Sequence, residues 1–371
     1  VSLRLIVPFA LGLLALPLWS QILVDTFAGG KVRTGVPAND VALSSIDGLA
    51  WDRSGGLVFC ETSANLIRRI RSDGTIETVA GTGVTGFSGD GGPALNATLH
   101  SPAKPRFDSS GNLYFADTLN NRIRRIDTRG VITSVAGSGV PFSTGLDLEG
   151  PALERSLGGI GDLAVGADGS VYFTDTDDFV RRVTPGGRIE IFAGVSRADC
   201  PNCSDGDNGP ASAAHIAYPR LLAFDGAGNL YLADNATPNR IRRIAPDGTI
   251  TKFAGYGSFT GVAVNDDGAP ALDAYLYQVS SMTADNAGNV YIVQQSVPVL
   301  KNPIPTRIRR IDASGIITTV AVSSSNGLAV DEQGNIAFSD FTSVHELIPG
   351  SNAENAGGRQ SEARARWHAG S

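Results

Sequence analysis

Five residues combine the types and spacing for chemistry: Asp47, Lys104, Asp162, Arg220 and Asn326. They occupy matching positions of a repeated segment, where other copies carry small or aliphatic residues such as Ala103, Gly161 and Leu221. Two carboxylates, an amide and two cations drawn into one ring would grip a polar ligand. The carboxylates and the amide would also supply part of a calcium site, since calcium takes about six to eight oxygen ligands. Two further sets of acids recur. Asp90, Glu149, Asp205 with Asp207, and Asp266 with Asp267 precede Pro-Ala segments; Glu61, Asp117, Asp175, Asp234 and Asp340 end apolar runs. The first set does not continue as a calcium loop, because Asp205-Gly-Asp-Asn-Gly209 lacks the later ligands and closing Glu that such a loop needs. Turn and capping roles are expected for it. For the second set, hydrogen bonds to the following turn are expected, the usual work of Asp in that position.

Other chemistries find little support. The histidines are His100, His215, His345 and His368, at positions that do not correspond between copies. No nucleophile-elbow motif accompanies a Ser, His and Asp, and no phosphate-binding or dinucleotide fingerprint occurs. Cys60 falls in the apolar run Leu57-Val58-Phe59-Cys60 and reads as a buried thiol. Cys200 and Cys203 share a short loop with no second pair to complete a zinc site, so a loop disulfide is expected if the protein is exported.

The elements that must position these residues are written in the repeat. One unit runs Phe107-Asp-Ser-Ser-Gly-Asn-Leu-Tyr-Phe-Ala-Asp117, then Asn121-Arg-Ile-Arg-Arg-Ile-Asp127, then Gly130 to Gly137. Its turn glycine recurs as Gly55, Gly111, Gly169, Gly228, Gly288 and Gly334, which makes six copies. Each copy reads as four short strands: an innermost one ending in Asp or Gly166, an aliphatic and aromatic one, an Ile-Arg-Arg-Ile one and a β-branched one. Radial repetition of such units predicts an all-β six-bladed propeller of antiparallel blades. The sixth copy lacks its fourth strand, and Val24-Asp-Thr-Phe-Ala-Gly29 matches the missing piece, so the N-terminal strand is expected to complete the last blade. The channel mouth, at the starts of the innermost strands, then gathers Asp47, Lys104, Asp162, Arg220 and Asn326. The doubled arginines, such as Arg124-Arg125, point to opposite faces of a strand and are expected to join blades through acids.

The ends and the charge bound the setting. Arg4, an apolar run from Leu5 to Leu18 and Ser20-Gln21 form the pattern of a secretory signal, with cleavage expected after Ser20. That divides the chain into a signal peptide (1–20), the propeller (21–349) and a C-terminal tail (350–371) without strand pattern. A secreted or periplasmic monomer follows as the expectation, with no membrane span after cleavage. The formal charge is −7, and loss of Arg4 leaves −8, which argues against nucleic-acid partners.

The run Leu113-Tyr-Phe-Ala-Asp-Thr118 with Asn120-Asn-Arg-Ile-Arg124 resembles the NHL-repeat signature. Gly86-Phe-Ser-Gly-Asp-Gly-Gly-Pro-Ala94 resembles the interblade linker of bacterial secreted NHL proteins. The resemblance covers about residues 22–349 and implies the fold more than an activity. It leaves two functions open: a non-catalytic module for an unknown protein or polar small ligand, needing no cofactor, and a calcium-dependent lactonase or esterase. The latter rests on similarity to gluconolactonase propellers, in which Asp47, Asp162 and Asn326 would supply part of the metal site and the early channel Glu is missing.

Overall fold

The structure, a computed structural model, describes residues 35–141, 149–174, 179–195, 205–234, 239–255, 266–296, 305–323 and 325–348, and the strand 23–28. The expected signal peptide, the Cys200 and Cys203 loop, Asp175 and the tail lie outside the described residues.

Six antiparallel sheets follow one another as the blades of a propeller. Blade 2 gives the plan: Pro102–Phe107 innermost, then Leu113–Asp117, Arg122–Ile126 and, outermost, Ile132–Ala136. The other innermost strands are Ile46–Trp51, Leu163–Val165, Pro219–Phe224, Val279–Ala284 and Gly327–Val330. Each touches the innermost strands of both neighbouring blades, the last one touching the first, so the ring is closed. Blade 6 takes its outermost strand from Leu23–Ala28, which pairs with Val344–Ile348 and sets Thr26 opposite His345.

Local chemistry explains the elements. The hairpin-turn glycines, Gly55 to Gly334, have φ from +73° to +86°, where a side chain is strained. In the five blades that have an Asp before this turn, it accepts N–H bonds from two and four residues ahead, as Asp225 does from Ala227 (3.0 Å) and Asn229 (2.9 Å). Four blades carry a short fifth strand that the four-strand expectation did not include: Val36–Pro37, Gly150–Pro151, Gly209–Pro210 and Ala269–Pro270. Proline suits an edge, where its missing N–H is no loss. The alanine that follows is buried in all four and opens a 3-10 turn at Ala38, Ala152 and Ala211, as Ala94 does after Pro93 in the linker before blade 2.

Between blades the polar core is arginine. The first arginine of each doubled pair (Arg68, Arg124, Arg181, Arg242, Arg309) is at most 1% exposed. Arg124 donates to Asp117 (3.2 Å), to Asp90 (2.7 Å) and to the carbonyls of Ser88 (2.8 Å) and Thr98 (3.3 Å). Arg242 meets Asp207 (2.9 Å) and the carbonyls of Asp205 and His215 (both 2.8 Å). Arg309 meets Gln294 (3.1 Å), Asp266 (2.8 Å) and Asp267 (3.1 Å). The linker acids Asp90, Asp207, Asp266 and Asp267 thus lie at turns, as expected, and their side chains are also counter-ions of buried cations.

The strand-end acids differ from expectation. Glu61, Asp117 and Asp234 reach back to the linker, accepting N–H bonds from Ser44 (3.2 Å), His100 (2.7 Å) and Ala217 (3.2 Å). Asp117 takes one bond from the following turn, from Asn120 Nδ2 (2.9 Å). Asp340 alone in this described set holds its following turn through backbone N–H groups, those of Thr342 and Ser343. Burial pushes the Glu61 and Asp117 carboxyls up, against the pull of Arg68 and Arg124. In blade 6 His345 stands where the buried arginine would be, stacked on Phe338 and 3.4 Å from Asp340.

Candidate functional site

The channel mouth is shaped by β-bulges. In blade 1 Asp47 pairs with Cys60 and Leu49 with Phe59, so Gly48 is extra. Lys104 and Pro105 are extra in blade 2, Arg220 in blade 4 and Ser280 in blade 5. A bulge releases its residue from the ladder and re-aims the side chain. Gly48 has φ +68°, and a Cβ there would lie 2.6 Å from Pro105 Cδ, so only glycine fits. Lys104 itself holds φ +54°.

Three of the five predicted residues are joined to a partner in a neighbouring blade. Lys104 Nζ donates to Asp47 Oδ1 at 2.7 Å, linking blades 2 and 1. Asp162, 1% exposed, receives Arg106 Nη2 (2.8 Å) from blade 2, its neighbour's N–H from Leu163 (2.8 Å) and the N–H of Leu222 (3.0 Å) from blade 4. Arg106 was not among the predicted residues. It was legible: two places before the strand-end residue, the copies carry Ala50, Arg106, Ala164, Ala223, Thr283 and Ala329, and Arg106 is the lone charge.

The other two predicted residues stand apart from these pairs. Arg220 is exposed, and its side chain has no hydrogen bond or ion pair among the described residues. Asn326 is half-buried and donates its backbone N–H to Ser339 O (2.7 Å). Ser280, at the bulge position matching Arg220, accepts a bond from Gln295 Nε2 (2.6 Å), which leaves its hydroxyl proton free to donate. The charges at the starts of the innermost strands are Asp47, Lys104, Arg106, Asp162 and Arg220. They pair off to leave Arg220, one net positive charge in a chain of −7.

Deeper along the axis lies a cavity of about 150 Å³, walled by Arg106, Phe107, Leu222, Phe224, Met282 and Thr283. That is below the ~300–1,000 Å³ usual for small-molecule pockets.

Calcium does not fit these donors. Both carboxylates already face a cation, and Asp162 accepts backbone N–H groups as well. No group of three or more His, Cys, Asp or Glu side chains among the described residues could hold a metal ion. Two of the described histidines are engaged elsewhere, His215 with Asp205 (2.7 Å) and His345 with Asp340. Burial pushes the Cys60 thiol up, well away from a reactive thiolate. No helix among the described residues is long and apolar enough to cross a membrane.

No family model matches the chain. Teneurin-m of Drosophila melanogaster is 28% identical over 318 residues, which cover 77% of this chain and 11% of that protein. Teneurin-3 of Mus musculus is 31% identical over 242 residues, covering 58% and 9%. The chain therefore spans about a tenth of the length of these curated relatives. Among solved structures, a gluconolactonase from Xanthomonas campestris superposes with TM-score 0.56 at 15% identity, over 89% of this chain and 91% of that one. A protein of unknown function from Bacteroides thetaiotaomicron gives TM-score 0.56 at 16% identity, over 87% and 75%. At such identities the likeness is one of fold.

Proposed function

We propose that the chain is an exported NHL-type propeller that binds a polar, anionic ligand or partner group at the channel mouth and performs no chemistry on it. One observation carries this reading: Arg220 is the inner-strand cation left over once Lys104 and Arg106 have taken Asp47 and Asp162. Ser280 on the next blade offers a hydroxyl donor at the matching bulge, and Asn326 adds an amide. An arginine with a neighbouring hydroxyl suits a carboxylate or phosphate. The NHL designation is supported by the repeat signature around Asn121 and Arg122, and export by the apolar run Leu5 to Leu18. The secreted or periplasmic location and the monomeric state belong to the same proposal.

Calorimetry on the mature chain, residues 21–371, tests it. Acetate, succinate and inorganic phosphate are titrated first, then calcium. The expected result is saturable binding of at least one anion, weakened about tenfold or more in Arg220→Ala, and no calcium site that depends on Asp47. Anion binding that is absent, or indifferent to Arg220→Ala, overturns the reading. A tight calcium site lost in both Asp47→Ala and Asp162→Ala would put a lactonase or esterase function in its place.

A further inference from the structure

The cleft between blades 2 and 3 encloses a cavity of about 580 Å³, well within the range of ligand pockets. Tyr114, Arg125, Val135, Leu153, Val171 and Pro185 are among its walls. Two other clefts, between blades 3 and 4 and between blades 4 and 5, fill the corresponding space with aromatic rings. Between blades 3 and 4, Tyr172, the counterpart of Tyr114, is packed edge-on by Phe192 (4.8 Å between centroids, 84°) and Phe224 (5.0 Å, 73°). The guanidinium of Arg182, the counterpart of Arg125, lies 5.8 Å from the Phe192 centroid. Between blades 4 and 5, Tyr231 meets Phe253 at 4.7 Å. In the 2/3 cleft the positions of Phe192 and Phe224 fall to Val135 and Val165, while the tyrosine and the arginine remain.

In two blades the second arginine of the pair has an acid opposite it, and in the other three a threonine. Arg182 sits opposite Glu190 and pairs with it at 2.7 Å; Arg69 sits opposite Glu77 and pairs with it and with Asp52. The residue opposite Arg125 is Thr133. Arg125 meets the Tyr114 hydroxyl, which also bonds Asp108; Asp108 and Glu154 stand in the cavity wall, and no carboxylate among the described residues lies within ion-pair distance of Arg125. The cleft between blades 5 and 6 also carries two valines, Val320 and Val330. There Ile336 packs with them where Val171 stands in the 2/3 cleft, and Arg310 donates to Asn289 (2.8 Å).

We propose that the 2/3 cleft is a second binding site, for a planar aromatic group that carries a carboxylate. Its ring replaces the side chain of Phe192 against Tyr114 and beneath Arg125, and its carboxylate replaces that of Glu190. Edge-to-face packing and a guanidinium over a ring face are each favourable on their own, and an arginine–carboxylate pair adds direction.

The test uses the full mature chain with benzoate and indole-3-acetate as probes and cyclohexanecarboxylate as the non-aromatic control, followed by saturation-transfer NMR and thermal melting. The aromatic acids should bind at least about tenfold more tightly than the control. Val135→Phe restores the missing ring; it should abolish binding and raise the melting temperature. All titrations are made in the Arg220→Ala background, which removes the anion site proposed at the channel mouth; there Arg125→Met should weaken the aromatic acids about tenfold. Equal binding of the aromatic and aliphatic acids, no saturation by either aromatic probe, or binding indifferent to Arg125→Met overturns the proposal. The arginine variant decides the matter even if Val135→Phe fails to fold.

Discussion

The third strands and the channel mouth are built from the same repeat, yet they have diverged to very different degrees. On the third strands, five copies keep one buried arginine; in blades 2 and 4 it is met by acids from both the strand end and the linker, and in blade 1 by the strand-end Glu61. Blade 5 has Gln294 in place of the strand-end acid, and its linker supplies two acids, Asp266 and Asp267. At the mouth no two copies agree five places before the strand end, where they carry Asp47, Ala103, Gly161, Arg220, Ser280 and Asn326, with Lys104 and Asp162 one place on. A buried cation must be answered wherever it occurs, because an unpaired charge in a dry interior is costly. A side chain at a solvated bulge is under no such demand. Uniformity therefore marks what holds the blades together, and variety marks where the molecule is free to meet something else.

The largest effect should fall on the uniform region. Arg124→Ala leaves Asp117 buried and unpaired and should cost about 3–5 kcal/mol, read as a fall in the urea midpoint. The channel mouth should divide into a structural half and a free half. Asp162→Ala removes three bonds that tie blades 2, 3 and 4 and should cost about 2–3 kcal/mol. Asp47→Ala, whose pair with Lys104 is a quarter to a third exposed, should cost only about 0–1 kcal/mol by the same unfolding assay. If these two variants proved equal, the division of the mouth would fall. Gly48→Ala asks whether the bulge geometry matters. Its positive φ and the approach of Pro105 predict a loss of about 1–2 kcal/mol in thermal or chemical unfolding.

The smallest effect separates turn acids from buried ones by pH. Hydrogen bonds from Ser314 and Ile316 hold Asp312 below its usual 3.8. A depressed carboxyl stabilises the fold fully above its unfolded pKa, and that contribution fades as pH falls through the folded value. Asp117 has the opposite sign: its raised pKa makes its contribution decline as pH rises through the interval above 3.8. Asp312→Asn should flatten the loss of stability below about pH 4, followed by circular dichroism across an acid titration.

The fold was open to sequence reasoning because the repeat prints its own alignment. Six turn glycines fixed the blades, and the match of Val24–Gly29 to other fourth strands fixed the closure. The mouth was half open to it. Counting back four or five residues found Asp47, Lys104, Asp162, Arg220 and Asn326, but a bulge adds a residue in blades 1, 2, 4 and 5 and shifts one column against another. Partners were hidden for a different reason. Lys104 meets Asp47, and Arg106 meets Asp162, across blade boundaries that no single copy contains. The linker acids and the strand arginines were each visible as sets; their pairing is a fact of radial packing, not of spacing along the chain.

The closure of blade 6 also imposes an order of events. Thr26 and His345 are neighbours in space and near opposite ends of the propeller in sequence. Bringing such distant segments together carries the full entropy of closing the longest loop in the domain. A growing chain can assemble blades 1 to 5 as they are made, but the earliest strand must wait, edge exposed, until the last has been synthesised. On this topology the ring is expected to close only after blade 6 has formed, and a molecule that occupies Leu23–Ala28 beforehand should delay closure.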